Sequence, residues 1–480
     1  MMESTWEMGR QSIRDALHQA AEKLGVTISF EQVEVLPPTE EGHGDWTTNL
    51  AFRLAKPLRR APAQIASDLI QHFPSLPMVK RVEVAGPGFI NVWLDSAWLA
   101  QVLVEAVGDP SGYGLAAPRN ERVLIEFVSA NPTGPLVVVN GRAAAWGDSL
   151  ARLLSAAGYA VDREFYVNDA GMQVVKLGHA LAIRLEELAG RPLPEVWPEG
   201  VYPAEYVRDL ATAYADAHPD WGTYATDPQY WPDLGAWAAE RLRAQQESEL
   251  ERFGVHFDRW YSEKSLRDAK RPEAVIAKLE QQGLLYEAEG ARWFRSTDFG
   301  DQKDYVVVKS DGGYTYIVPD AAYHAEKFQR GYHHLIDLLG PDHHGHLSRM
   351  RSMMAGLGYP AGHLEMLIIQ MVRLLRGGQP VKMSKRGGTF VTLAELMDEV
   401  EVDPARWFFV ERSSDTPMDF DLDLAQLKTQ DNPVYYVQYA AARIYSILQA
   451  YAPDRDSDPA RMPFRRECPT GCQTGRDGEA

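Results

Sequence analysis

The chain has 480 residues, of which 45% are hydrophobic and 24% charged, a composition typical of a globular protein with about two to four domains. Its net charge of −18 argues against a surface built for non-specific nucleic-acid binding, but it is compatible with a local basic patch. The sequence contains no apolar run of roughly 18 residues. Its N-terminus also lacks the basic and then apolar order of a signal peptide. These features predict a cytoplasmic protein without a membrane span.

The first predicted unit is an α+β domain over residues 1–110. An amphipathic helix is predicted over residues 9–24, where Ile13 and Leu17 follow helical spacing. Two strands are predicted within residues 81–94, on either side of a turn that contains two glycines and a proline. A segment rich in Gly and Pro after residue 108 indicates a linker to the next domain.

A nucleotide-binding domain is predicted over residues 115–400. It opens with an apolar strand at 123–127, a loop containing glycine and proline, and a helix that extends to about residue 159. The apolar face of this helix is predicted to contain Trp146, Leu150, Leu153, Leu154 and Ala157, which follow helical spacing. This order is typical of the start of a doubly wound, Rossmann-like parallel sheet, so we expect an α/β catalytic domain. A segment rich in Trp, Pro and acidic residues at about 185–270 indicates a helical insertion, and further strands are predicted at 305–308 and 314–318.

The strongest local motif is a lysine-containing loop followed, after Arg386, by two glycines. It comprises Lys382, Met383, Ser384 and Lys385. Positioned lysines on such a loop can neutralise the phosphates of ATP while pyrophosphate leaves, because negative charge develops there in the transition state. The alternative interpretation is a solvated basic loop.

This loop resembles the second signature of class I aminoacyl-tRNA synthetases, and its surroundings are similar to the arginyl member of that class. The matching segments cover about residues 10–452. They are H-G-D-W-T-T-N (43–49), P-G-F-I-N (87–91), I-E-F-V-S-A-N-P-T-G-P (125–135), Y-V-N-D-A-G-M-Q (166–173), P-D-A-A-Y-H (319–324), G-P-D-H-H-G-H (340–346), residues 370–393 around the lysine loop, and D-F-D-L-D-L-A (419–425). The resemblance implies a ligase that activates L-arginine with ATP, accompanied by Mg²⁺, and transfers it to tRNA(Arg). A monomer is expected.

The resemblance also implies an arginine pocket. Glu126 and Asn131 are expected to contact the amino-acid substrate, and Tyr316 and Asp320 to hold its side chain. A carboxylate suits bidentate recognition of a guanidinium, and an aromatic ring beside it adds a cation–π surface. Without the resemblance, Asp320 could equally be a residue that caps local backbone groups.

The ATP site is expected to include Asp342, His343 and His344, which follow a predicted strand. A histidine-rich turn can also indicate zinc, but no second ligand cluster follows at a suitable spacing, so no metal site is predicted. The two cysteines, Cys468 and Cys472, form an isolated pair for which we predict no role.

The first signature of the class is altered in this chain. After Leu136 the family continues with His-x-Gly-His, whereas this chain has Val137, Val138, Val139 and Asn140. In the family the histidines hydrogen-bond the ATP phosphates at a helix N-terminus, and the glycine leaves room for the adenine.

These changes are expected to impair catalysis. Val137 offers no donor, Val139 is branched, and Asn140, followed by Gly141, can donate a hydrogen bond but cannot carry a charge. Each lost donor typically costs ~2.7–4 kcal/mol of transition-state stabilisation, so we expect weak arginyl-adenylate formation. One alternative is a catalytically inactive relative that still binds arginine. Another is a different nucleotidyl-transfer enzyme on the same fold.

The C-terminal part is expected to be helical. Residues 433–450 form a strongly apolar helical segment, and the resemblance implies that residues 401–452 are the start of a helical anticodon-binding domain. From residue 453 the composition shifts to Arg, Asp, Pro and Gly without periodicity, which predicts a disordered tail over 453–480. A shortened anticodon-binding domain would weaken tRNA binding.

Overall fold

The structure is a computed structural model that describes residues 5–40, 42–109, 111–201, 203–223, 225, 227–343, 345–381 and 391–451. The chain forms two compact units, and the boundary between them lies between Ala117 and Pro118. The predicted tail at 453–480 lies outside the described residues. Within the described ranges, no helix is long and apolar enough to cross a membrane.

The N-terminal unit is an α+β domain with one antiparallel sheet of strand order β1-β3-β2. Its elements are α1 (Thr5–Lys23), β1 (Trp46–Thr48), α2 (Leu50–Leu58), α3 (Pro62–His72), β2 (Val79–Ala85), β3 (Phe89–Leu94) and α4 (Ser96–Gly108). The apolar stripe of α1 packs into a core with Trp46 and Ile90, and Ile13 and Leu17 are fully buried there. The amphipathic helix and the two strands that the sequence predicts are therefore confirmed.

The larger unit contains a five-stranded parallel sheet with helices around it. Its elements before the last sheet strand are β4 (Arg122–Glu126), α5 (Val138–Ala156), β5 (Ala160–Val167), α6 (Met172–Leu188), α7 (Glu205–Ala217), α8 (Trp231–Arg252), β6 (Arg259–Ser262), α9 (Glu263–Asp268), α10 (Arg271–Gln281), β7 (Leu285–Ala288), β8 (Ala291–Phe294), β9 (Tyr305–Val308), α11 (Ile317–Gln329), β10 (His334–Leu339) and α12 (Leu347–Gly356). The remaining elements are β11 (Leu364–Ile368), β12 (Val372–Arg376), β13 (Gln379–Pro380), α13 (Leu393–Val400), α14 (Val402–Glu411), β14 (Met418–Asp421), α15 (Leu422–Gln426) and α16 (Pro433–Tyr451).

The order of the parallel strands confirms the predicted doubly wound fold. The order is β11-β10-β4-β5-β6, so the chain builds outward from β4 in one direction and later returns to β10 on its other side. In open α/β sheets, ligands bind outside the carboxyl ends of the strands where this direction reverses. The topology therefore directs attention to the ends of β4 and β10.

Two local predictions need correction. Residues 314–318 do not form a strand: Tyr314 makes an isolated bridge to Val308, and α11 begins at Ile317. In α5, Leu153 was expected on the buried face but is 68% exposed. The helix instead buries small residues, among them Ala144, because its neighbours approach closely on that side.

The region predicted as an insertion contains α7, α8 and α9, and only the last residues of α6 reach into it. Helices α7 and α8 share with α6 a buried cluster that includes Leu181 and Leu242. Strand β6 also lies within the predicted range of 185–270, yet it pairs in parallel with β5 and belongs to the central sheet. The residue that follows β6 is therefore brought to the same sheet edge as the end of β4.

Candidate active site

Glu126, the last residue of β4, is followed by a strained loop. In this loop Val128 and Ser129 have φ values of +69° and +40°, which are unfavourable for residues with a side chain and rare for a β-branched one. In this conformation the Ser129 hydroxyl donates to Glu126 Oε1 at 2.9 Å and accepts from the Tyr166 amide at 3.1 Å. Backbone strain of this kind is characteristic of functional sites.

Three carboxylates converge near the carboxyl edge of the sheet. They are Glu126 at the end of β4, Glu263 directly after β6, and Asp320 in the first turn of α11. All three act electrostatically on the phenol of Tyr166, whose pKa is raised by burial and then by Glu263, Asp320 and Glu126. The structure therefore places a concentration of negative charge where the fold provides a ligand site.

Asp320 holds a proton more tightly than an ordinary carboxyl group. Burial, together with the nearby Glu126 and Glu263, raises its pKa from 3.8 to about 7, and this outweighs the opposing effect of His324. His346 Nε2 lies 3.3 Å from Asp320 Oδ2, but burial lowers the pKa of His346 to about 4. The imidazole is therefore neutral near pH 7 and leaves the acidic group without a cationic partner on that side.

A fully buried lysine pairs with Glu126 and with a further carboxylate, that of Asp337. Lys327 Nζ donates to Glu126 Oε2 at 2.5 Å and to Asp337 Oδ1 at 2.9 Å. Burial alone would lower the pKa of Lys327, but Asp337 and Glu126 outweigh that effect and raise it. His324 joins the same network, because its Nε2 lies 2.5 Å from Asp337 Oδ2. Glu126 is thus held in one orientation by Lys327 and the Ser129 hydroxyl.

The other residues predicted for the arginine pocket lie nearer the surface. Tyr316 precedes α11, is 59% exposed, and accepts a hydrogen bond from Arg349 Nη1 at 2.9 Å. It lines a cavity of about 590 Å³, together with residues that include Arg267. Asn131 is exposed, and its backbone carbonyl accepts from the Gln246 side chain at 3.1 Å.

The altered signature forms the N-terminus of α5. The Val137 amide donates to Asn140 Oδ1 at 2.9 Å, so the Asn140 side chain caps the helix through its oxygen and can donate only through its amide nitrogen. Val139 is half-buried. Gly141 packs against the core, because a Cβ there would lie 2.6 Å from Leu393 Cδ1.

Two of the predicted ATP-binding residues follow β10. Asp342 is 82% exposed and lies 3.6 Å from the ring of His343, which is half-exposed. His344 and the four residues of the lysine loop lie outside the described residues, so their predicted roles are not tested by the structure. Within the described part of the chain, no three His, Cys, Asp or Glu residues are grouped to hold a metal ion.

Comparisons with known proteins address both units. The family described as "Arginyl tRNA synthetase N terminal domain" matches residues 10–94. The family described as "tRNA synthetases class I (R), catalytic domain" matches residues 229–426, which include β10, α11 and the lysine loop.

Whole-chain relatives agree with these matches. The arginine–tRNA ligase of Symbiobacterium thermophilum is 48% identical over 442 residues, which cover 92% of this chain and 79% of that protein. The chain belongs to the arginyl-tRNA synthetase family. The arginine–tRNA ligase of Syntrophotalea carbinolica is 42% identical and covers 98% of this chain and 84% of its own length.

The solved structures give the same fold. The arginyl-tRNA synthetase of Thermus thermophilus superposes with a TM-score of 0.70 over 92% of this chain and 82% of its own, at 22% identity. Nothing in these comparisons supports the alternative of an inactive relative of the synthetases.

Sequence reasoning missed two residues of the carboxylate site. Glu263 follows β6 directly, and an acidic residue at the end of a sheet strand would have been the signal, but that strand lay inside the predicted insertion. Lys327 lies on one face of α11 with Asp320 and His324, at positions i, i+4 and i+7. That spacing was visible, but the burial of the lysine depends on its contact with Glu126.

Proposed function

We propose that this protein is an ATP-dependent arginine–tRNA ligase. The convergence of Glu126, Glu263 and Asp320 near the carboxyl edge of the parallel sheet carries the proposal, because it complements a substrate with two positive charges. L-Arginine has an α-ammonium group and a guanidinium group, and charge-assisted hydrogen bonds to carboxylates bind both. Lysine also has two positive charges, but its ammonium lacks the planar fork of a guanidinium.

The reaction has two steps. An oxygen of the arginine carboxylate attacks the α-phosphorus of ATP, and pyrophosphate leaves with the bonding electron pair. A ribose hydroxyl of the terminal adenosine of tRNA(Arg) then attacks the adenylate carbonyl carbon. The ester bond forms, the bond from that carbon to the phosphate oxygen breaks so that AMP leaves, and the hydroxyl proton is released. The protein contributes mainly by positioning and by electrostatic stabilisation, without a covalent enzyme intermediate.

The arginine-binding roles follow from position. Asp320 and Glu263 would accept hydrogen bonds from the guanidinium, with Tyr316 at the outer rim of the pocket. Glu126, oriented by Lys327 and Ser129, would accept from the α-ammonium group. Asn131 would contact the substrate from the loop after β4.

The ATP-binding roles remain predictions from the resemblance. Lys382 and Lys385 would neutralise the phosphates, with Met383 and Ser384 in the same loop. ATP would bring Mg²⁺ with it. Asp342, His343 and His344 would line the adenylate pocket, as would residues 137–141, where the Asn140 amide nitrogen is the remaining side-chain donor. The monomeric state and the cytoplasmic location also stay predictions.

The proposal is tested by pyrophosphate exchange with ATP and tRNA(Arg), comparing L-arginine with citrulline and lysine. Citrulline has nearly the shape of arginine but carries a neutral urea group. We expect exchange with arginine and a rate lower by at least about 100-fold with citrulline, because its neutral urea group loses the charge-assisted hydrogen bonds to Asp320 and Glu263. Equal rates with arginine and citrulline would show that the carboxylates do not select the substrate. No exchange with arginine would refute the proposed function.

A further inference from the structure

Arg142 connects α5 to two distant segments of the chain. Its side chain is fully buried, and its Nη1 donates to the carbonyl oxygens of Gln370 and Thr416, each at 2.9 Å. Its Nη2 donates to the carbonyl oxygen of Ser413 at 2.8 Å. Gln370 lies two residues before β12, and Ser413 and Thr416 form the turn before β14, which pairs in parallel with β12. One guanidinium therefore fixes the start of both strands.

The segment that follows the lysine loop is attached to the same part of α5. The Val138 amide donates to the carbonyl of Val391 at 3.3 Å, and the Leu393 amide donates to the carbonyl of Leu136 at 2.8 Å. Leu393 also packs on Gly141. Residues 136–142 therefore bond to the chain on both sides of the lysine loop. The contact before the loop is at Gln370, and the contacts after it are at Val391 and Leu393.

We propose that Arg142 is a positioning residue for the ATP step, which sets the base of the lysine loop against the N-terminus of α5. Arg142 acts through backbone carbonyls and does not contact the substrate. The inference rests on the proposed function, because it assigns the lysines of that loop to the ATP phosphates. A displacement of about 1 Å at the base of the loop would misplace cations that must meet the phosphates in the transition state.

The chemistry of the side chain favours a geometric role over a purely stabilising one. A guanidinium offers several donors in a fixed plane, so it can bind carbonyls from three residues at once. Its burial is costly: desolvation lowers the pKa of Arg142, with Asp415 opposing that effect, and its Nε has no hydrogen-bond partner among the described residues. An apolar side chain of similar volume would fill the core without that cost.

The test compares Arg142→Lys with a matched control, Arg184→Lys. Arg184 in α6 is also buried, and its Nη2 donates to the carbonyl of Pro203 at 2.8 Å. We expect Arg142→Lys to lower kcat/KM for ATP in pyrophosphate exchange at least tenfold, with the dissociation constant for arginine changed less than twofold. Arg184→Lys should leave both within twofold. Equal effects of the two substitutions on kcat/KM for ATP would overturn the proposal.

A second readout separates this proposal from the proposed function. In Arg142→Lys, and not in Arg184→Lys, we expect faster hydrogen exchange at the amides of Val138, Val381 and Leu393, since their bonds hold the base of the loop. Unchanged exchange at these amides would refute the positioning role even in an active enzyme. Inactivity of the unmodified chain would refute the proposed function. The hydrogen-exchange data would still show whether Arg142 holds the base of the lysine loop.

A third variant covers a failure of Arg142→Lys to fold. Asp415 is exposed, its charge acts on Arg142, and its Oδ1 accepts a hydrogen bond from the Ser413 hydroxyl at 2.8 Å. Asp415→Asn leaves the buried side chain in place, so it should fold. We expect the same faster exchange at the Val138 and Leu393 amides, to a smaller extent, and its absence would count against the proposal.

Discussion

Arginine affinity is expected to weaken as the pH falls from 8 to 6, because Asp320 must be ionised to bind a guanidinium. Its pKa is raised to about 7 in the empty site by burial and by the neighbouring Glu126 and Glu263. Neutral His346 supplies no opposing charge, since its pKa is lowered to about 4. The empty site therefore takes up a proton near neutral pH, and arginine has to displace it.

The size of the effect follows from this pKa. The apparent dissociation constant for arginine varies as the inverse of the fraction of Asp320 that is ionised. A pKa of about 7 therefore predicts an increase of roughly tenfold between pH 8 and pH 6. The Asp320 side chain is 39% exposed, and water screens its interactions with the other carboxylates. We therefore expect an increase of about threefold to tenfold. Arginine itself keeps both positive charges over this pH interval, so the protein causes the change.

The assay is calorimetric titration of the intact chain with L-arginine at pH 6, 7 and 8, in two buffers with different ionisation enthalpies. The difference between the buffers counts the protons that are released on binding. The variant Asp320→Asn should bind arginine more weakly, and its affinity should be independent of pH. A wild-type affinity that is constant from pH 6 to 8, without proton release, would refute the assignment of a raised pKa to Asp320.

Three further predictions concern other parts of the site. Glu263→Gln should raise KM for arginine about tenfold, because a charge-assisted hydrogen bond becomes a neutral one, whereas Glu273→Gln, on the wall of the nearby cavity, should change it less than twofold. Lys327→Met should lower the free energy of unfolding in urea by about 3–5 kcal/mol, since it removes the buried ammonium that Glu126 and Asp337 share; a loss below about 1 kcal/mol would contradict the importance of the network. Restoring the family signature should raise the rate of pyrophosphate exchange at least about 100-fold, and an unchanged rate would show that the histidines are dispensable here. The restored variant carries Val137→His, Val139→Gly and Asn140→His.

The parts of the fold that follow from local pattern could be predicted from the sequence. The strand at 123–127 is a continuous apolar run with a glycine-containing loop and a helix after it, and that order determines the first turn of a doubly wound sheet. Strand β6 could not be predicted in the same way. It has four residues and lies inside the segment at about 185–270 that the sequence predicts as a helical insertion. No local sequence pattern distinguishes it from the helices on either side.

The site shows the same division. Glu126 and Asp320 were predicted because each lies in a segment that resembles the family, but their mutual effect depends on distances that no spacing in the sequence encodes. The apolar pattern of α5 predicted Leu153 as a core residue, whereas the helix buries Arg142 and its small neighbours instead. A buried arginine is identified only by its acceptors, and these come from residues about 230 to 270 positions away.

In the empty pocket, repulsion among the carboxylates lowers the stability of the folded protein, and the same repulsion favours binding of a cation. Negative charges on Glu126, Glu263 and Asp320 repel one another in a partly buried site, and the cations beside them are already engaged. Lys327 divides its charge between Glu126 and Asp337, and Arg267 donates to Glu263. The proton on Asp320 relieves this repulsion in the free protein, and the guanidinium of arginine can relieve it in the complex. A neutral analogue brings no positive charge to take the place of that proton. In its complex the carboxylates would therefore either repel one another or remain protonated. The same repulsion that destabilises the empty site therefore provides its selectivity for a cationic side chain.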